Sequence, residues 1–278
     1  MARRVLVLVG LLVAGCASTG QVSLGEVREF ADASARLGGY AELSRRYRDT
    51  YERESPYLSP QAERVARDTD ARRRAVFDDF VAIQKTLVLY MQTLSSLAGD
   101  GRYDLSGRID DLGSGLKATD SGLQQRHVAA YTGMTRLLTR VITSRYQNRS
   151  VDTMVRDGNA DVQTLIDAMI VLTRIYEKAN ENERKTVLGL FNAEIPMANR
   201  NTDRMLVTLA KVHLQNKTAE YKLIDRRYKL AQQGLTKVAL GHQKMRENMD
   251  KLSSEETRHM LAEYVHDLNL IRDALSGE

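Results

Sequence analysis

The sequence predicts an all-α fold, an elongated bundle of long helices with coiled-coil-like packing. Three observations carry that expectation. The 278 residues include only three prolines and no tryptophan, while Ala, Leu, Arg, Glu, Gln, Lys and Met, which lose least on entering a helix, are abundant. Alternation of β-branched and polar residues, the mark of a half-buried strand, is nearly absent. Finally, Leu206, Ala210, His213, Tyr221, Ile224, Tyr228, Ala231, Leu235, Val238, Met245 and Met249 hold one helical face from end to end. Their steps are nearer a heptad than a scatter, which favours left-handed coiled packing.

The elements follow in order. Ser23-Leu24-Gly25-Glu26 has the form of a capping box and opens a first helix from about Leu24 to Glu54, striped by Phe30, Ala33, Leu37, Tyr40, Tyr47 and Tyr51. Pro56 and Pro60 punctuate the turn, and Ser59 with Pro60 forms an N-cap and first-turn pair. The second helix runs to about Leu97 on Val65, Val76, Phe80, Ile83, Leu87, Met91, Leu94 and Leu97. Glycines at 99, 101, 107, 113, 115 and 122 then mark the stretch expected to be least stable, since each would cost a helix about 1 kcal/mol. A third helix spans about Leu123 to Tyr146, and a fourth starts near Ser150 on Val162, Leu165, Met169, Leu172 and Tyr176. Continuing that stripe would turn Asn180 and Glu183 inward, so a break is expected near Asn180 to Asn182, with a short helix ending before Pro196. The long heptad-like helix comes next. Ser253-Ser254-Glu255-Glu256 then caps a last helix packing through Met260, Tyr264, Leu268, Ile271 and Leu275.

The N-terminus reads differently. Arg3 and Arg4 precede an unbroken small-or-apolar run from Val5 to Gly15, and Cys16, the only cysteine, follows Leu12-Val13-Ala14-Gly15. A basic start, a short apolar core and small residues at the cut are the layout of a secretory signal. The run is shorter than the roughly 20 residues a membrane span needs. With a cysteine at the cut, the segment resembles the lipobox of bacterial lipoproteins. The resemblance covers about the first 17 residues and implies that Cys16 is lipidated and becomes the first residue of the mature chain. It also implies an outer-membrane location facing the periplasm, because Ala17 replaces the aspartate that usually retains such proteins at the inner membrane. The expected organisation is a signal peptide over residues 1–15, a tether over 16–22 and one helical bundle domain over 23–278. The six or so tether residues reach only about 20 Å, which keeps the body close to the membrane.

Removal of residues 1–15 takes away two arginines and no acid, leaving 39 basic against 36 acidic side chains and a net charge of +3. Such balance, together with export, argues against nucleic acid as a partner. Lipidation of Cys16 would leave no thiol for a disulfide, a metal or nucleophilic catalysis.

Candidate chemistry is sparse. Glu256-x-x-His259 and Glu263-x-x-His266 repeat the spacing of di-metal bundles, but both copies lie on one helix and on its solvent side, so no metal site is assigned. His127, His213 and His242 fall on apolar stripes and read as core or seam histidines with hydrogen-bond partners. Arg64, Arg67, Arg72, Arg73 and Arg74 load the second helix, near Arg45, Arg46, Arg48 and Arg53 of the first, and form a candidate binding patch for phosphate, glycan carboxylate or an acidic partner. Interleaved acids offer the plainer reading of a solvated surface. The twelve tyrosines read as seam fillers with wet hydroxyls, or as sugar-stacking groups. No catalytic residues and no cofactor are assigned.

Taken with the lipobox resemblance, these features set the expectation of a non-catalytic, lipid-anchored cell-envelope scaffold or adaptor. Its expected partners are the membrane, through the anchor, and another envelope protein or the cell wall. A bundle binding a small ligand or metal, and a cell-wall-acting enzyme, remain the alternatives. An apolar cavity would favour the ligand binder, and an exposed basic or tyrosine-rich groove the adaptor.

Overall fold

The structure, a computed structural model, describes residues 24–36, 39–99, 107, 109, 116, 122–143, 150–199, 201–252 and 254–276. The signal segment, Cys16, the tether, Ser23, Leu37, Ser253 and nearly all of the glycine-bearing stretch lie outside that set. The described residues form an all-α bundle. Its helices are α1 Gly25–Ala35, α2 Gly39–Arg48, α3 Thr50–Glu54, α4 Pro60–Ala98, α5 Gln125–Thr143, α6 Val151–Met197, α7 Arg204–Glu247 and α8 Glu255–Ser276. Among the described residues, no helix is long and apolar enough to cross a membrane.

α6 and α7, of 47 and 44 residues, form an antiparallel hairpin roughly 65–70 Å long. Its register can be read from cross-helix pairs: Asn159 with Gln243, Gln163 with Ala239, Glu177 with Gln232, Asn180 with Asp225 and Glu183 with Tyr221. α5 packs on α6, and α1 packs on α4 and α8. One apolar cluster runs through α1, α2 and α4 to α8.

Local sequence explains most boundaries. Ser59 Oγ accepts the backbone N–H of Ala62 and Ser150 Oγ that of Thr153, so the first turns of α4 and α6 are capped as expected. α8 is capped one residue later than expected, by Ser254 Oγ on the N–H of Thr257. Its most buried residues are Thr257, Leu261, Leu268 and Leu275, while Met260, Tyr264 and Ile271 are only partly buried.

Several expectations need correction. The first helix is three, α1 to α3. The chain steps at Gly39, where an added Cβ would stand 2.9 Å from the Leu275 Cβ, and again at Asp49, whose φ of −91° and ψ of 19° leave the helical region. α6 is unbroken. Asn180 and Glu183 do turn inward and are buried, but polar partners receive them, so the helix has no reason to end. Pro196 sits one residue from the end of α6, where the backbone hydrogen bond it removes disturbs little. Val65 and Leu206, expected on buried stripes, are 64% and 65% exposed. The first half of α4 and the first turns of α7 extend past the elements that would cover them.

The tyrosines fill the seams, but the largest buried ones do not keep wet hydroxyls. The Tyr90 hydroxyl is enclosed by His242 Nε2 (2.7 Å) and Met154 O (3.0 Å), while Tyr40 donates to Met169 O (3.2 Å) and Tyr221 to Glu183 (3.0 Å). Tyr176 is ringed by Tyr40, Tyr47 and Phe80, with centroids 6.1, 4.7 and 5.9 Å away.

Candidate binding surfaces

The five arginines of the expected patch stand along the first half of α4. Arg67 is bonded to Glu63 (2.6 Å), and Arg74 to Asp70 (2.7 Å) and Glu52 (2.9 Å). Arg72 reaches Thr69 on its own helix, and Arg64 is exposed. Arg73 lies over the Tyr47 ring, and its Nη1 is buried without a hydrogen-bond partner. Neighbouring acids therefore neutralise part of this row.

Two arginines of α2 and α3 turn inward instead. Arg53 meets Glu183 of α6 through Nε at 3.0 Å and Nη2 at 2.7 Å. Arg46 bridges Glu183 (3.4 Å), Glu220 (3.1 Å) and the Asn180 side-chain carbonyl (3.3 Å). Burial opposes the charge on Arg53, but the hydrogen bonds and attraction of Glu183 outweigh it, and the guanidinium pKa rises. Burial, then the Glu183 charge, push the Tyr221 hydroxyl far above the usual phenol range. This cluster ties α2 and α3 to the hairpin.

The stripe histidines all have partners. His127 is buried between the Gln124 N–H, which meets Nδ1 at 3.1 Å, and Asp167, 3.2 Å from Nε2. His213 is half-buried, its Nε2 2.9 Å from the Tyr57 hydroxyl and its ring against Phe191. His242 is fully buried. Asn159 Oδ1, at 2.9 Å, can only accept, so Nδ1 carries the proton and Nε2 accepts from the Tyr90 hydroxyl at 2.7 Å. Burial pushes the His242 pKa down to about 3. The Glu256, His259, Glu263 and His266 side chains are exposed, as their helical positions implied. Among the described residues, no group of three or more His, Cys, Asp or Glu is placed to hold a metal ion.

Two surfaces that the sequence reading missed are better placed to bind. The first is the tip of the α6–α7 hairpin. Met197, Met205, Leu206 and Leu209 are 85%, 78%, 65% and 61% exposed, and Leu190 and Val212 are exposed beside them. Leu190, Phe191, Ile195 and Val207 help line a groove of ≈ 330 Å³ there. The second is a cleft of ≈ 480 Å³ between α2 and α4. α2 contributes Ala41, Ser44, Arg45 and Arg48 to its lining, and α4 contributes Phe77, Val81, Lys85 and Val88 among others. Both surfaces have a sequence signal: a second apolar stripe beside the core stripe. Phe77, Val81 and Val88 flank the buried Phe80, Ile83 and Leu87, and Met205, Leu209 and Val212 flank the Leu206, Ala210 and His213 stripe.

No protein-family model, curated protein or solved structure shows significant similarity to this chain. The fold and these surfaces define the class on their own: an all-α bundle carrying an exposed apolar hairpin tip and a cation-rimmed cleft.

Proposed function

We propose that the chain is a lipid-anchored, non-catalytic adaptor of the bacterial cell envelope, held at the outer membrane through Cys16 and docking another envelope protein with its hairpin tip. The observation that carries the docking half is the exposed apolar tip. Singly exposed apolar residues are ordinary, but six large ones gathered at one hairpin tip, three of them (Leu190, Met197 and Leu206) lining a groove, mark an interaction surface.

The tip also lies at the pole that an anchored adaptor would present. Phe30 of α1, the first described helix after the proposed anchor, packs where an added Cβ on Gly241 would collide with its ring. Gly241 is 37 residues from Arg204 along α7, roughly 55 Å. A membrane holding the N-terminus would thus leave the tip far from its surface.

The described charges at the tip balance, Arg204 and Lys211 against Glu194 and Asp203, while Arg184 and Lys185 further along α6 are paired with Asp225 and Glu181. The partner surface is therefore expected to be apolar. Arg64, Arg67, Arg72, Arg73 and Arg74 remain a second candidate patch for acidic groups within the same proposal.

The anchoring half is tested with Cys16→Ala. The variant is expected to lose all metabolic lipid labelling and to leave the membrane fraction or accumulate unprocessed. Normal labelling and membrane retention would overturn the anchor.

A further inference from the structure

The α2–α4 cleft supports an inference that does not depend on the anchor or the hairpin tip. Its floor is apolar, with Phe77, Val81, Val88 and the partly buried Ala41, and its volume of ≈ 480 Å³ falls within the roughly 300–1,000 Å³ of small-ligand sites. Every charged residue lining it is a cation: Arg45, Arg48 and Lys85. The three differ in availability. Arg48 is held by Asp49 through Nε at 2.6 Å and Nη2 at 2.9 Å, and its guanidinium lies 4.9 Å from the Phe77 ring centroid. It therefore serves as a fixed, charge-balanced plane over the floor. Arg45 of α2 and Lys85 of α4 are exposed, and neither has an ion-pair partner among the described residues.

An apolar floor beneath two uncommitted cations matches one kind of ligand. We infer that the cleft binds an anionic amphiphile, a single acyl chain on the Phe77–Val81–Val88 floor with its carboxylate or phosphate head between Arg45 and Lys85. An uncharged chain of the same length would fill the floor but leave both cations without an anion. A small inorganic anion would meet the cations but leave the floor wet. Both parts are needed for tight binding, because charge-assisted hydrogen bonds fix the head while apolar burial supplies the driving force.

Calorimetric titration of the full chain tests this, using palmitate and dodecyl phosphate below their micellar concentrations and dodecanol as the uncharged probe matched in length to dodecyl phosphate. Palmitate or dodecyl phosphate is expected to bind one per chain with Kd of about 10 μM or tighter, and dodecanol about tenfold more weakly than dodecyl phosphate or worse. Arg45→Glu with Lys85→Glu should weaken the anionic probes by about tenfold or more. Val81→Trp should block them by filling the floor. These side chains are exposed or half-buried, so the variants should keep the helical circular dichroism of the parent. Vesicles distinguish the sources of such a ligand. Retention by phosphatidylglycerol but not phosphatidylcholine vesicles, lost in the double variant, identifies a bilayer lipid, and palmitate binding without it identifies a free fatty acid. Absence of palmitate and dodecyl phosphate binding at ~100 μM, or unchanged affinity in a natively folded double variant, would overturn the inference.

Discussion

Replacing Glu183 with glutamine is expected to cost about 3 kcal/mol of folding stability. Glu183 is 1% exposed, and its carboxylate is the shared anion for Arg53 and Arg46, whose side chains are only 23% and 14% exposed. The amide of the variant could still accept a hydrogen bond, but two nearly buried guanidinium groups would lose that negative charge. Arg46 keeps Glu220, and both arginines keep a solvent edge, so the loss falls at the lower end of the range for broken buried pairs. A second variant separates the charge from the packing. Arg53→Met with Glu183→Leu removes both partners, and its destabilisation should be well below the sum of the single changes. Urea melts read this as a shift in midpoint at constant slope. A loss under ~1 kcal/mol in Glu183→Gln would show that the cluster does not hold α2 and α3 to the hairpin.

Stability should also fall steeply in mild acid because of His242. Burial depresses its pKa from 6.5 to about 3 in the folded state. As pH falls below about 6.5, the unfolded chain takes up a proton that the folded chain refuses. His242's contribution is thus fully present above pH 6.5 and is lost as pH falls towards 3, at about 1.4 kcal/mol per pH unit. Over that window the loss is roughly 4 kcal/mol. Glu54 and Asp161, whose pKa values burial raises, contribute with the opposite sign as pH falls, so His242 is isolated by the difference in slope between the parent and a His242 variant. His242→Gln is expected to be less stable at pH 7, because Tyr90 and Asn159 lose a fitted partner, but to show a flatter pH dependence. Equal slopes for the variant and the parent between pH 6.5 and 5 would contradict this assignment.

The helical architecture was legible because each long helix has a continuous apolar core stripe and, in two cases, a serine at its start. Ser59 and Ser150 cap α4 and α6 through bonds only three residues long, which a local pattern can reveal. What was not legible depends on residues far apart in the chain. Asn180 and Glu183 looked like a break in α6 because polar residues on a buried face need partners, and those partners, Arg46 and Arg53, lie 130 or more positions away. The steps at Gly39 and Asp49 leave the apolar spacing of the first segment nearly intact, so periodicity alone joined three helices into one. Of the binding surfaces, the row of arginines on α4 was visible as composition. The cleft was not, since Arg45 and Lys85 come to line one cleft only after α2 packs on α4. At the tip, Leu206 was read as core because it continues the heptad-like spacing of α7 without a change of period, and Met205, Leu209 and Val212 beside it were not singled out.

The central claim is that the hairpin tip docks a partner protein. A photo-crosslinking residue placed at Leu209, in the full chain and in the cell that makes it, tests this most directly. The same residue at Leu270, which is 56% exposed on α8, serves as the reference. The account predicts one defined crosslinked protein at Leu209 and none at Leu270. The captured segment should be apolar, and the crosslink should disappear when Met205→Asp is added while the chain stays at the membrane. Equal capture at both positions, a crosslink that survives Met205→Asp, or capture of a second copy of this chain through its own tip would contradict it.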